Sequence, residues 1–157
     1  MRFSKIKCTG EKVVLIWTTT ENGVEDKHHV VSDEEPRPEF PKALDGFIPY
    51  VMELLGLGDN SVFRNELHVT GLSIDVGDDD RRGLVITCRK ELARTRGPMV
   101  FNLPHIREPK EDGTESVVSG IWLPGMDKAL KKCEAQAQRF LAGERSQTEM
   151  ELAGAGA

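Results

Sequence analysis

Between residues 81 and 107 the chain carries Arg81, Arg82, Arg89, Lys90, Arg94, Arg96 and Arg107 against a single acid, Glu91. Guanidinium and ammonium groups gathered in this way suit phosphates, because each neutralised phosphate releases condensed counterions. Arg2, Lys5, Lys7 and Lys12 add cations near the N-terminus. If the two sets share an outward sheet face, they form a strip that can track a nucleic-acid backbone. Trp17 or Phe101 could then stack on unpaired bases, at ~1–3 kcal/mol per base. The residues expected to contact nucleic acid are therefore Lys5, Lys7, Trp17, Arg81, Arg82, Arg89, Lys90, Arg94 and Arg96. The competing reading is a solvated face whose arginines pair with Asp78, Asp79 and Asp80, and an aromatic content of 6% is sparse for a stacking platform.

Other chemistry-bearing residues point less far. Asp75, Asp78, Asp79 and Asp80 offer hard oxygen ligands, but they lack the alternating spacing, central glycine and distant glutamate of a calcium-binding helical hand and read as an acidic hairpin loop. His28 and His29 are neighbours in a strand-like run, so they point to opposite faces and do not readily share a metal. Cys8, Cys88 and Cys133 are odd in number and widely spaced, which fits buried thiols better than a disulfide framework or a zinc site. There is no Gly-x-Ser-x-Gly elbow and no phosphate-cradling glycine loop. Neither catalysis nor a cofactor is expected.

The elements that would position these residues can be read from periodicity. Residues 3–8 alternate, with Ile6 and Cys8 on one face and Lys5 and Lys7 on the other. Residues 13–19 form a β-branched run, Glu21-Asn22-Gly23 marks a turn, and 24–31 complete a meander. Phe40, Ala43, Leu44, Phe47, Val51, Leu54 and Leu55 then recur at helical spacing, with Pro49 expected to kink or split the helix. The order repeats. Strands are expected over 67–74, 84–89 and 98–103, and a polar loop over 107–120. A helix from about 124 to 143 follows, with Met126, Ala129, Leu130, Cys133, Ala137, Phe140 and Leu141 on one side.

The fold class is thus α+β, with two successive three-stranded antiparallel meanders each followed by a helix (βββα-βββα). It forms a single domain over 1–143 with a disordered tail at 144–157. Internal duplication is one reading, supported by Thr9-Gly10 with Thr70-Gly71 and by Lys42-Ala43-Leu44 with Lys128-Ala129-Leu130.

The whole chain is 157 residues with a net charge of −5, so no global attraction to nucleic acid or an anionic membrane exists and any such role must be local. Its apolar runs at 13–17 and 47–57 fall far short of the ~20 residues a bilayer span needs. The first residues lack the apolar core of a secretory signal, and a cytoplasmic location is expected. In the tail, Gln147, Met150 and Leu152 are spaced as in peptides that bind bacterial sliding clamps.

Several segments resemble a family of small phage and prophage proteins: Arg-Phe-Ser-Lys-Ile-Lys at the start, Glu-Glu-Pro-Arg-Pro-Glu-Phe-Pro-Lys-Ala-Leu, Val-Thr-Gly-Leu-Ser-Ile, Asn-Leu-Pro-His and Ala-Gln-Arg-Phe-Leu-Ala-Gly-Glu-Arg-Ser-Gln. That resemblance implies a mobile-element setting near recombination and single-strand-binding functions, and carries over no site residue. The layout is also similar to that of the Whirly and transcriptional-coactivator single-strand binders, which oligomerise, so a dimer is one expected arrangement. Together these readings predict an accessory protein of phage-type DNA metabolism that binds single-stranded DNA without catalysis. The alternative is a module that inhibits or recruits a host replication or recombination protein.

Overall fold

In the computed structural model, which describes residues 1–110 and 120–146, alternation accounts for the first three strands. β1 (Arg2–Cys8) buries Phe3, Ile6 and Cys8, β2 (Val13–Glu21) buries Val13 and Leu15, and β3 (Val24–Ser32) forms the sheet edge. Asn22 and Gly23 join β2 to β3 with φ of 53° and 77°, the double left-handed conformation whose twist suits a two-residue hairpin. Phe3 and Ile6 are three apart yet both face inward, because the register shifts between Phe3 and Lys5. Such a bulge inserts one residue and restores the phase.

β4 (Leu67–Val76) carries a matching shift between Val69 and Gly71, so that Val69 and Leu72 both reach the core. It pairs antiparallel with β1 through Lys5–Ser73, Ile6–Leu72 and Lys7–Gly71. β5 (Arg82–Lys90) follows β4. Its C-terminal half pairs with β6 (Met99–Asn102) and its N-terminal half with β7 (Ile106–Arg107), which in turn pairs in parallel with β8 (Gly120–Ile121). The order is β3-β2-β1-β4-β5-β7-β8, with β6 beside β5.

The fold is α+β, with a largely antiparallel sheet and few helices. It departs from two plain three-stranded meanders in its second half, where the third strand is divided between β6 and β7. Leu103 and Ile106 are buried on either side of Pro104 and His105, and a proline there cannot donate to the ladder. The first helical run is also divided, into α1 (Glu39–Asp45) and α2 (Ile48–Leu54). Pro49 at the start of α2 has no N–H to give the carbonyl one turn back, which is where the helix breaks. A short α3 (Ser61–Arg64), capped by the Asn60 side chain on the Phe63 N–H at 3.0 Å, was not expected. α4 (Met126–Leu141) closes the fold and buries Met126, Ala129, Leu130, Cys133, Ala137 and Phe140.

One hydrophobic core lies between the helices and the inward face of the sheet. Phe40 of α1 meets Phe140 of α4 edge-on at 6.1 Å. No helix among the described residues is long and apolar enough to cross a membrane. Residues 144–146, expected in the tail, are held against the domain: Arg145 lies 3.5 Å over the Phe140 ring and bonds Glu34 at 2.8 Å, and the Ser146 N–H reaches the Glu35 carbonyl at 3.2 Å. Residues 147–157, with Gln147, Met150 and Leu152, and 111–119 of the polar loop lie outside the described residues.

All three cysteines are buried. Burial, reinforced by the charge of Asp45, pushes the Cys8 thiol up to about 11 and Cys88 to about 12; burial and Glu134 push Cys133 to about 12. Each thiol is held neutral by the fold, so its contribution is complete below pH 9 and is lost as pH rises toward 11–12. Urea melts from pH 8 to 11 should therefore show stability falling by about 1.4 kcal/mol per pH unit for each thiol above its unfolded pKa, with Cys133→Ala removing its share of the slope. A flat alkaline profile in both proteins would contradict this.

Candidate nucleic-acid interface

Successive side chains on a strand point to opposite faces, so the residues out of phase with the core form the second face of the sheet, where no helix packs among the described residues. On β1 these are Lys5 and Lys7, and on β2 Val14, Ile16 and Thr18. β4 contributes Gly71, Ser73 and Asp75, and β5 Val85, Thr87 and Arg89. Lys5 stands between Ile16 and Ser73, and Lys7 between Val14 and Gly71. A β-carbon at Gly71 would sit in ordinary contact with the Lys7 Cγ at 3.7 Å and the Thr87 Cβ at 3.7 Å. Neither lysine forms an ion pair with a described residue. Arg2, opposite Thr18, and Lys27, opposite Thr18 on the other side, extend the positive charge toward the β3 edge. Sequence reasoning missed Lys27, although it alternates in phase with His29 and Val31.

The cations of the second half do not form one cluster. β5 holds nine residues, which at ~3.3 Å each separate its ends by about 26 Å. At one end, Arg81 is bound by Asp79 at 2.5 Å and Arg82 by Glu108 and Asp127 at 2.5 and 2.6 Å. Burial pushes the Glu108 carboxyl up, but the hydrogen bonds and charge of Arg82 outweigh it and hold the group below its ordinary value. Arg107 reaches Asp75 at 3.4 Å and the Arg81 carbonyl at 3.0 Å. Asp75 also meets His105 at 3.1 Å, over Gly83, where any β-carbon would strike both side chains. This end is a neutralised ion-pair network.

At the other end Arg89 faces outward and pairs with Glu91 at 2.8 Å, while Arg94 and Arg96 stand exposed in the connection to β6 with no described partner. Lys90 and Arg82 are in phase with Leu84, Ile86 and Cys88 and so lie on the helix side. Lys90 is buried, donating to the Asn65 carbonyl at the end of α3 and lying 6.0 Å over the Phe63 ring. Trp17, expected as a stacking surface, also faces inward in phase with Val13 and Leu15; it stacks on His28 at 5.1 Å and contacts Phe3. Phe101 packs against Phe63 on the same inner side. The phase of the strands was the available signal for all four. Lys5, Lys7 and Arg89 are therefore brought onto one face, Arg94 and Arg96 lie at its margin, and Arg81, Arg82, Lys90 and Trp17 do not join them.

A concavity beside that margin is lined by Thr9, Asp45, Glu66, His68, Arg89 and Glu91 among others, with a volume of about 440 Å³. In it His68 Nδ1 meets Asp45 at 2.9 Å, and the second Asp45 oxygen accepts the Val69 N–H at 3.0 Å. The pair ties the end of α1 to β4, a structural bridge between helix and sheet. Among the described residues no group of three or more His, Cys, Asp or Glu side chains is placed to hold a metal. Comparison with family models, with curated proteins and with solved structures finds no match for this chain.

Replacing Arg82 by Met should leave Glu108 without its partner and cost about 1.5–3 kcal/mol at pH 7, the range for hydrogen bonds to charged groups. The native pair holds Glu108 below its ordinary value of 4.5, so this stability is present above that pH and is lost as pH falls through the lowered pKa. Thermal melts from pH 7 to 3 should converge for the two proteins at the acid end, and a constant gap would contradict the ion-pair origin.

Proposed function

We propose that this protein binds single-stranded nucleic acid on the helix-free face of its sheet, without catalysis, as an accessory of phage-type DNA metabolism. The observation that carries the reading is the placement of Lys5 and Lys7 on β1, outward and without ion partners among the described residues, on the same face as Arg89 two strands away. Phosphates can follow the lysines while bases lie against Val14 and Ile16 on one side of them or Val85 on the other, all partly exposed on the same face. A duplex keeps its bases stacked inside and cannot use those side chains. With Trp17 and Phe101 turned inward, affinity rests on phosphates and apolar contact more than on aromatic stacking, so little sequence preference is expected. Acids are few here: Asp75 is already engaged by Arg107 and His105. The segments resembling phage and prophage proteins support the setting.

The same reading takes the two halves as one βββα unit used twice. Its support is the matching bulges: Phe3 precedes Ile6 as Val69 precedes Leu72, and Ile6 and Leu72 are direct partners in the central pair. This correspondence replaces the one between Thr9-Gly10, which lies in the β1–β2 turn, and Thr70-Gly71 within β4.

Fluorescence anisotropy with labelled oligothymidine across a salt series tests the proposal. Affinity should fall linearly with salt on logarithmic axes, and Lys5→Gln with Lys7→Gln should reduce the slope by about 1.4, which is ~0.7 for each phosphate that is no longer neutralised. A variant with Lys12→Gln, in the β1–β2 turn, should behave as the parent protein. No binding at low salt, or equal slopes for the double variant and the parent, would overturn it.

A further inference from the structure

The helix side of the molecule carries a second cationic surface. Between α1 and α4 runs a groove of about 590 Å³ whose lining includes Lys42 of α1 and Lys128, Lys132 and Arg139 of α4. On an α-helix, positions 128, 132 and 139 fall within about 40° of one another, with rises of about 6 Å and about 10 Å between them, so the three charges form a line along one side of α4. Lys42 faces them from the other wall. None of the three lysines forms an ion pair with a described residue, and Arg139 is held only at 3.9 Å by Glu144. The one acid of the groove, Glu39, is drawn toward Arg37 at 3.7 Å.

The floor differs from the rim. Ala43 and Ala129, half-buried and buried, form it, Gly46 and Ala135 are exposed at its edges, and Tyr50 stands at the end near Gly125. Gly125 has φ of 93°, and a β-carbon there would collide with the Tyr50 hydroxyl, so the start of α4 and Tyr50 close the groove together. Small side chains between two helices let a guest backbone come close, and leave room for its apolar side chains. Cations on the rim demand carboxylates from the same guest. A bare phosphate backbone would use the rim and leave the apolar floor empty.

We infer that the α1–α4 groove is a docking site for an acidic peptide segment of a partner protein, one that alternates or interleaves carboxylates with apolar side chains. Carboxylates of the guest meet Lys42, Lys128, Lys132 and Arg139, and its apolar side chains enter over Ala43 and Ala129. The groove lies on the opposite side of the sheet from Lys5 and Lys7, so both surfaces can be occupied at once. A protein bearing such a segment would be recruited to nucleic acid held on the sheet.

The test uses the full chain and a fluorescein-labelled ten-residue peptide alternating glutamate and leucine, with the glutamine–leucine version as control. The acidic peptide should bind at low salt and the control should not. Lys42→Gln with Lys128→Gln and Lys132→Gln should weaken binding about tenfold, the sum expected of three exposed ion pairs. Ala135→Phe, at an exposed edge of the groove, should obstruct entry with every charge intact. Lys131→Gln, outside the groove, and Lys5→Gln with Lys7→Gln should leave peptide binding unchanged. Oligothymidine binding by the triple variant should equal that of the parent, so failure here is separable from failure of the sheet-face reading. Absence of acidic-peptide binding, or its survival in both groove variants, overturns the inference. So does loss of oligothymidine binding in the triple variant, which would give the groove to nucleic acid instead.

Discussion

Three residue pairs join β1 to β4, and the outward placement of Lys5 and Lys7 follows from their register. Ile6 opposite Leu72 puts two apolar side chains into the core; Lys5 opposite Ser73 and Lys7 opposite Gly71 put two ammonium groups outside. Because strand side chains alternate with a period of two, a slip of one residue would drive Lys5 and Lys7 under the helices and expose Ile6. The burial of charge that such a slip entails makes the register stringent. The bulges after Phe3 and Val69 sit on either side of this pairing and keep Phe3 and Val69 in phase with it, so a continuous inner face survives the local twist.

Much of the local structure was legible in the residues. The Asn-Gly turn, the break at Pro49 and the apolar stripe of α4 each rest on short-range chemistry, and each is present at the expected place. Four of the expected contact residues are not placed with Lys5 and Lys7, for a reason equally local. Trp17 shares the phase of Val13 and Leu15, and Arg82 and Lys90 that of Leu84, Ile86 and Cys88, so counting cations along the chain overrode the alternation that assigns them inward. Arg81 fell to Asp79 in its own hairpin loop. Two things were beyond local reading. That β1 lies beside β4 requires the tertiary pairing, and the groove between α1 and α4 joins Lys42 to Lys128 across more than half the chain. The division of the third strand at Pro104 is visible as a proline, but its outcome, two short strands along one neighbour, depends on the length of β5.

Charge in this acidic chain is partitioned more sharply than its composition suggests. Acids concentrate at the end of the sheet where Arg81, Arg82 and Arg107 meet Asp79, Glu108, Asp127 and Asp75, and there they stabilise the hairpin and the start of α4. Among the cations without described partners are those on two surfaces, the β1 strand of the bare sheet face and the rim of the helical groove. A surface ion pair contributes little to stability, so removing those unpaired lysines should leave the fold intact. On the readings proposed above, the first surface would take phosphates and the second carboxylates.

Backbone amide chemical-shift mapping of the protein with unlabelled oligothymidine tests the central claim most directly. Perturbations should gather on the outward residues of the inner strands, at 5–7, 14–18, 71–73 and 85–89, with residues 126–141 of the last helix silent. Perturbations confined to that helix and residues 39–46, or none at low ionic strength, would contradict it.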